Sequence, residues 1–220
     1  MRIAVLSALQ AGLDTLRAMA PFPLCAVIGL ARPKDESLVS GYIDMAPFAA
    51  ERGLPYIEAE SYGLTSPNDV ARLSALDFDL LLVLGWQRLV PGWLLAKARI
   101  GAIGAHGSVA GITAGRGRSP QVWALLLGAE CFSVSLFWLA PGVDDGPLLA
   151  TETFALTPFD DIRSSLLKTA RTVARLLNEA IADDPEHLKA RRLPQRDTAY
   201  YWPKRLPQDG ALDWRRTTAE

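Results

Sequence analysis

The feature that most restricts the fold of this chain is a nearly continuous apolar run from Asp79 to Trp86, which follows a helical pattern at Val70–Leu76. A strand with so few polar residues is typical of the interior of a parallel sheet, where helices cover both faces. Shorter runs at Ile3–Leu6, Leu24–Leu30 and Pro55–Ile57 also alternate with segments of helical spacing. This alternation predicts a doubly wound, mostly parallel α/β sheet.

Length and charge limit the classes of function. With 220 residues, 50% of them hydrophobic, the chain can bury one substantial core and carry a short appended segment. Its formal net charge of -1, from 23 basic and 24 acidic residues, predicts no nucleic-acid partner. Cys25 and Cys131 lie in apolar runs without the spacing of metal ligands or of a disulfide framework. No apolar run is long enough to span a bilayer, so we expect a soluble cytoplasmic protein without a metal.

One of the two histidines, His106, lies in the glycine-dense stretch Gly101–Pro120, which we predict to be a turn-rich loop that approaches a bound molecule closely. Asp144, in the predicted turn Val143–Pro147, is its candidate partner, because a carboxylate fixes the tautomer of an imidazole and stabilises its charged form. From the residues alone both readings stay open, since such a histidine is often structural and an Asp-Gly pair often serves only the turn. His187, in a charged segment, is assigned to the surface.

An ordered set of motifs resembles the catalytic domain of the formyltetrahydrofolate-dependent formyltransferases. That family includes methionyl-tRNA formyltransferase, glycinamide ribonucleotide transformylase and the sugar N-formyltransferases. The motifs are Asp79–Trp86, Leu89-Val90-Pro91, Gly101–Ser108, Arg116-Gly117, Pro120, Trp123-Ala124, Gly128 and Val143–Pro147. The resemblance covers most of the chain and implies a Rossmann-like formyltransferase fold, with 10-formyltetrahydrofolate as the formyl donor.

The resemblance also implies roles for individual residues. The implied catalytic residues are His106, Asp144 and Ser108. The formyl donor would contact seven residues, which are Trp86, Arg88, Leu89, Val90, Ala140, Val143 and Asp145. The acceptor amine would contact Gly104, Arg116 and Gln121.

Gly104 departs from the family signature Asn-x-His-x-Ser, because it stands where the family has asparagine. Glycine has no side chain that could polarise the formyl oxygen. If the chain is active, we expect backbone N–H groups around Gly104–Ser108, the Ser108 hydroxyl or Gln121 to replace that donor. Three functions follow from this departure: formyl transfer to an amine, hydrolysis of 10-formyltetrahydrofolate, or folate or nucleotide binding without catalysis.

The expected acceptor is an amine of a small metabolite, such as an amino sugar nucleotide or a natural-product intermediate. The first predicted strand–helix turn, Ser7–Gly12, has too few glycines to form the phosphate cradle of glycinamide ribonucleotide transformylase. We expect residues 1–183 to form the catalytic domain and residues 184–220 to form a tail that resembles the interdomain linker of larger family members. The aromatic residues of that tail leave two readings open, a homodimer contact and packing on the body.

Overall fold

The structure, a computed structural model, describes residues 1–32, 39–195, 199–211 and 213–215. Its strands are β1 (Ile3–Leu6), β2 (Leu24–Leu30), β3 (Tyr56–Ala59), β4 (Leu80–Val83), β5 (Gly101–Ser108), β6 (Ala114–Gly117), β7 (Cys131–Trp138), β8 (Leu148–Ala155) and β9 (Tyr200–Trp202). Its helices are α1 (Gln10–Ala18), α2 (Ala46–Glu51), α3 (Pro67–Ala75), α4 (Gly92–Lys97), α5 (Pro120–Leu126), α6 (Ile162–Ala182) and α7 (Pro185–Ala190).

Seven strands form one sheet in the order β3-β2-β1-β4-β5-β7-β8. The first five of these strands are parallel, while β7 runs antiparallel to both β5 and β8. Every residue of β1 and β4 is buried, as expected for central strands that are covered on both faces. The predicted doubly wound, mostly parallel α/β fold is confirmed.

The stretch Gly101–Pro120 is not the turn-rich loop that its glycines suggested. Its first eight residues form β5, and Ala114–Gly117 form the short strand β6. The glycines of β5 make room for large side chains of the neighbouring strand: a Cβ at Gly101 would lie 2.7 Å from the ring of Trp138, and one at Gly107 would overlap the ring of Phe132. The glycines of β5 therefore reflect tight packing against β7, whereas Gly115 of β6 lies against Trp202 of β9.

Helix α6 begins at a dense set of capping contacts. Asp161 accepts a hydrogen bond from the Ser164 backbone N–H at 2.7 Å, which satisfies one of the free donors of the first turn. The neighbouring Asp160 carboxylate accepts from Lys168 Nζ at 2.6 Å and from the Thr157 N–H at 2.8 Å. The Lys168 ammonium and the Thr157 amide hold the pKa of the Asp160 carboxyl well below its usual range.

We predict that Asp160→Asn makes the free energy of unfolding depend less on pH in the acid range. A carboxyl with a lowered pKa in the folded state stabilises the fold above its unfolded pKa of about 3.9, and this stabilisation is lost as pH falls further. The amide has no such dependence, so the variant should be less stable at pH 7 and lose less stability between about pH 4 and pH 2. Urea unfolding at several pH values measures this, and parallel curves for the two proteins would contradict it.

The residues that follow α6 pack against the sheet. In α7, Leu188 is fully buried, and Leu193 pairs with Leu148 at the start of β8. Strand β9 pairs with β6, and its Trp202 stacks on Trp123 with ring centroids 5.5 Å apart. Trp202 thus packs on the body of the protein, which is one of the two expectations for the aromatic tail. The homodimer contact stays a prediction. Residues 196–198, 212 and 216–220 of the predicted tail lie outside the described residues, and the division at residue 183 stays a prediction.

Candidate active site

The end of β5 projects His106 beyond the neighbouring parallel strand. The β4–β5 pairing ends with Val83 opposite Gly104, whereas β5 continues for four more residues beside β7. His106 is therefore paired on one side only, opposite Ser135. On its other side lies the segment 84–91 that leaves β4, which places the histidine beyond the carboxyl ends of the parallel strands, where ligands of such sheets bind.

The imidazole of His106 lies between two oxygen atoms. Its Nε2 is 2.9 Å from the carbonyl oxygen of Gly115, and its Nδ1 is 3.4 Å from Oδ2 of Asp144. The Gly115 carbonyl oxygen can only accept, so Nε2 donates to it, and Nδ1 lies within ion-pair distance of the Asp144 carboxylate. The His106 side chain is only 10% exposed and that of Asp144 22%, so solvent screens the pair weakly. The arrangement suits proton transfer.

The turn that carries Asp144 has an unusual backbone. Asp144 has φ of 50°, in the left-handed region that few residues other than glycine occupy without cost. Two residues later, a Cβ at Gly146 would overlap the carbonyl oxygen of Trp138, so only glycine fits there. The close contact at Gly146 and the left-handed φ of Asp144 therefore define the backbone of the turn that carries the carboxylate.

Two adjoining cavities meet at the His106–Asp144 pair. The first, of about 200 Å³, is walled by Leu89, Val90 and Leu139. The second, of about 480 Å³, contains His106 in its wall. Both are lined by Trp86, Gln87, Arg88, Leu89, Ala105 and Asp144, so they share one wall. The smaller cavity can hold a flat apolar group, and the larger one leads from that group to the histidine.

Most of the predicted site residues come together here. The first cavity is lined by Trp86, Arg88, Leu89, Val90, Gly104, Ala140 and Asp144, and the second adds His106 and Val143. Ser108, Arg116, Gln121 and Asp145 are not among the residues that line either cavity in the described part of the chain. What these side chains contact decides whether they can act in the site.

Two of the expected replacements for the missing asparagine are engaged elsewhere. The fully buried Ser108 hydroxyl donates to the carbonyl oxygen of Gly111 at 2.6 Å. Gln121 Nε2 donates to Ser165 Oγ at 2.6 Å and to Thr169 Oγ1 at 2.9 Å, both on α6. Backbone N–H groups were the other expected donors, and pairing with β7 engages only every second N–H of β5 beyond Gly104. Ser108 and Gln121 thus have partners elsewhere, and the identity of the donor that replaces the asparagine stays a prediction.

The structure adds polar residues that the sequence reading missed. Gln87 lines both cavities, and Ser40, Arg118 and Ser119 line the second. Gln87 lies within a run already predicted to form the pocket, so its polar side chain could have been predicted to line the site. Ser40 comes from a distant part of the chain, and no local pattern connects it to the site.

Tyr62 supports the shared wall from behind. Its hydroxyl accepts the backbone N–H of Gln87 at 3.0 Å, and its ring contacts that of Trp86 edge-on at 4.7 Å between centroids. The Arg88 guanidinium lies over the same ring at 5.3 Å. Burial raises the pKa of the Tyr62 phenol, so it stays protonated at neutral pH. Tyr62 therefore fixes three consecutive residues of the cavity wall.

Sequence comparison finds one family across most of the chain. Residues 27–181 match the family described as formyl transferase. The methionyl-tRNA formyltransferase of Acidothermus cellulolyticus is 32% identical over 166 residues, which cover 76% of this chain and 50% of that protein. The chain thus spans about half the length of this curated relative.

Solved structures share the fold at lower identity. Glycinamide ribonucleotide transformylase 1 from Symbiobacterium toebii superposes with a TM-score of 0.67 at 21% identity, covering 89% of this chain and 94% of that one. The formyltetrahydrofolate deformylase from Burkholderia mallei gives 0.64 at 18% identity, with 84% and 65% covered. At these identities the likeness concerns the fold alone. None of the described helices combines the length and apolar character needed to cross a membrane.

Proposed function

Because this chain belongs to the formyl transferase family, we propose that it moves a formyl group from 10-formyltetrahydrofolate to the amine of a small metabolite. The observation that carries the proposal is the His106 ring, held between the Gly115 carbonyl and the Asp144 carboxylate where two cavities meet. A histidine held in this way can stabilise negative charge and transfer a proton.

The residues of the smaller cavity fit the ring system of a folate. Leu89, Val90 and Leu139 supply apolar walls, which suit the faces of a flat ring. Trp86 and Arg88 lie on the wall shared with the larger cavity. Arg88 carries a charge that would attract the carboxylates of the folate tail.

In the proposed reaction the acceptor amine attacks the formyl carbon, the bond from that carbon to the folate nitrogen breaks, and the amine proton is passed to that nitrogen. Negative charge develops on the formyl oxygen during the attack. Protonated His106 would stabilise this charge, and Asp144 would hold the ring and assist removal of the amine proton.

Gln87 is the residue we assign to the role of the missing asparagine. It carries the same amide group, lines both cavities, and its side chain makes no hydrogen bond within the part of the chain that the structure describes. Its backbone is fixed by Tyr62, so the side chain extends from an ordered wall. An amide in this position can donate to the formyl oxygen.

We therefore predict that Gln87→Met lowers kcat about tenfold, because a hydrogen bond to a charged oxygen contributes roughly 1.5 kcal/mol or more. The substitution keeps the length of the side chain and removes only the amide. Gln10→Met is the matched control, since the Gln10 amide bonds to Asp14 outside both cavities. Steady-state rates for both variants test the assignment. A kcat of Gln87→Met equal to that of Gln10→Met would remove Gln87 from the mechanism.

Charge and cavity size support a small acceptor such as an amino sugar nucleotide or a natural-product intermediate. The chain has a net charge of -1, and Arg118 and Ser119 offer a cation and a hydroxyl to a phosphate in the larger cavity. The test is to incubate the protein with 10-formyltetrahydrofolate and single amines, and to follow the release of tetrahydrofolate. If none of the amines tested leads to release of tetrahydrofolate, the proposal is contradicted.

Hydrolysis of 10-formyltetrahydrofolate is the second candidate, and Gly104 is the observation that favours it. Gly104 removes the amide donor that the family signature provides for formyl transfer to an amine, so attack by water becomes the competing reaction. Release of formate in the absence of any amine would identify this reaction. Folate binding without release of either product would instead indicate a binding protein.

A further inference from the structure

Gln195 makes two hydrogen bonds to the turn that carries Asp144. Its Nε2 donates to the carbonyl oxygen of Asp144 at 2.9 Å and to that of Gly146 at 2.6 Å. These carbonyls belong to Asp144, which has φ of 50°, and to Gly146, which lies against Trp138. Gln195 is 51 residues from Asp144 in sequence, yet it closes the turn from outside.

Arg116 fixes which end of the Gln195 amide faces the turn. Its Nη2 donates to Gln195 Oε1, and a guanidinium can only donate, so the NH₂ group of Gln195 must point to the two carbonyls. Arg116 is 8% exposed and has no carboxylate partner among the described residues, and its Nε is buried without an acceptor. Burying a cation in this way costs stability, which points to a functional reason.

The backbone around Gln195 is anchored independently. Leu193 and Leu148 exchange backbone hydrogen bonds at 2.7 and 2.9 Å, and Trp138 Nε1 donates to the carbonyl oxygen of Arg191 at 2.8 Å. The amide of Gln195 is thus presented from a segment that is itself attached to β7 and β8. Loss of its side chain should leave that segment in place.

We propose that Arg116 and Gln195 are positioning residues that hold the carboxylate of Asp144 against Nδ1 of His106. The expected effect on catalysis rests on the proposed function, whereas the positioning of Asp144 does not. Arg116 orients the Gln195 amide, the amide braces the turn, and the braced turn keeps Asp144 at 3.4 Å from the ring. The segment after α7 therefore belongs to the active site.

Gln195→Met tests the brace by removing both donors while keeping the length of the side chain. The chain has only two histidines, so the imidazole NMR signals of His106 can be assigned with a His187→Ala variant. We expect Gln195→Met to shift the His106 signals and to lower kcat by at least about tenfold, since small displacements of catalytic groups have effects of this size. Gln195→Glu keeps an acceptor for Arg116 but loses the donors, and should behave in the same way.

Ser165→Ala is the matched control, because it removes a buried hydrogen bond of 2.6 Å between Ser165 on α6 and Gln121 on α5. It should lower the melting temperature and leave the His106 signals and kcat unchanged. Wild-type His106 signals in Gln195→Met would overturn the proposal, as would a shift of equal size in Ser165→Ala. If the wild-type protein transfers no formyl group, the proposed function fails, but the NMR comparison still decides whether Gln195 positions Asp144.

Discussion

His106→Gln should lower kcat by about 100- to 10,000-fold, which is the range for loss of a positioned acid–base group. Glutamine can still donate to the Gly115 carbonyl, so the buried contact is partly kept while the group that carries a proton is lost. Asp144→Asn should have an effect in the same direction, because the amide fits the positive φ but cannot pair with a charged ring. Single-turnover rates with saturating folate separate this loss from weaker binding.

His187→Gln provides the control for the histidine prediction. His187 is 80% exposed and lies on α7, so its replacement should leave kcat unchanged. The melting temperatures of all variants must be compared, because a lower rate has meaning only for a folded protein. Activity close to that of the wild type in His106→Gln or Asp144→Asn would remove the proposed pair from the mechanism.

Gly104→Asn, which restores the family residue, should lower kcat/KM for the formyl donor by about 10- to 100-fold. A Cβ at this position would lie 2.8 Å from Cδ2 of Leu139 and 3.3 Å from Cζ of Phe137. The Asn amide extends beyond this Cβ into the smaller cavity that Gly104 lines, and each 1.4 kcal/mol of lost transition-state stabilisation corresponds to about tenfold in kcat/KM. Leu139 also lines the smaller cavity, so its displacement would narrow the space for the donor.

Gly104→Ala separates crowding from the chemistry of the amide. Alanine meets Leu139 through the same Cβ, but its side chain extends no further into the cavity. We expect a loss of only a few-fold, because the end of a leucine side chain can move. A rate gain in Gly104→Asn over both the wild type and Gly104→Ala would contradict the prediction and show that the missing asparagine limits this protein.

The sheet and one wall of the site could be predicted from sequence because their signals are local. The apolar run of β4 marked a buried parallel strand, and the segment that follows it supplies Trp86, Arg88, Leu89 and Val90 to the cavities. Consecutive residues that leave one strand must lie together at the end of the sheet. No long-range information is needed to group them.

The remaining parts of the site depend on contacts between distant residues. Gln121 stands next to a family motif, but its amide points to α6, which begins 41 residues later. Arg116 reads as a substrate ligand in sequence, whereas its partner Gln195 is 79 residues away. The strand character of β5 was hidden for the same reason, because its glycines are explained by side chains of β7. Local sequence patterns do not show which distant residues become neighbours in the folded protein.

The Gln195 contact also has a consequence for the protein during synthesis. The N-terminal part of a chain leaves the ribosome first. The seven-stranded sheet ends with β8 at Ala155, so all of its strands have been synthesised about 40 residues before Gln195 is added. Until then the Asp144 turn lacks its outside brace. The strands of the sheet and the residue that braces the Asp144 turn are therefore added at different times during synthesis.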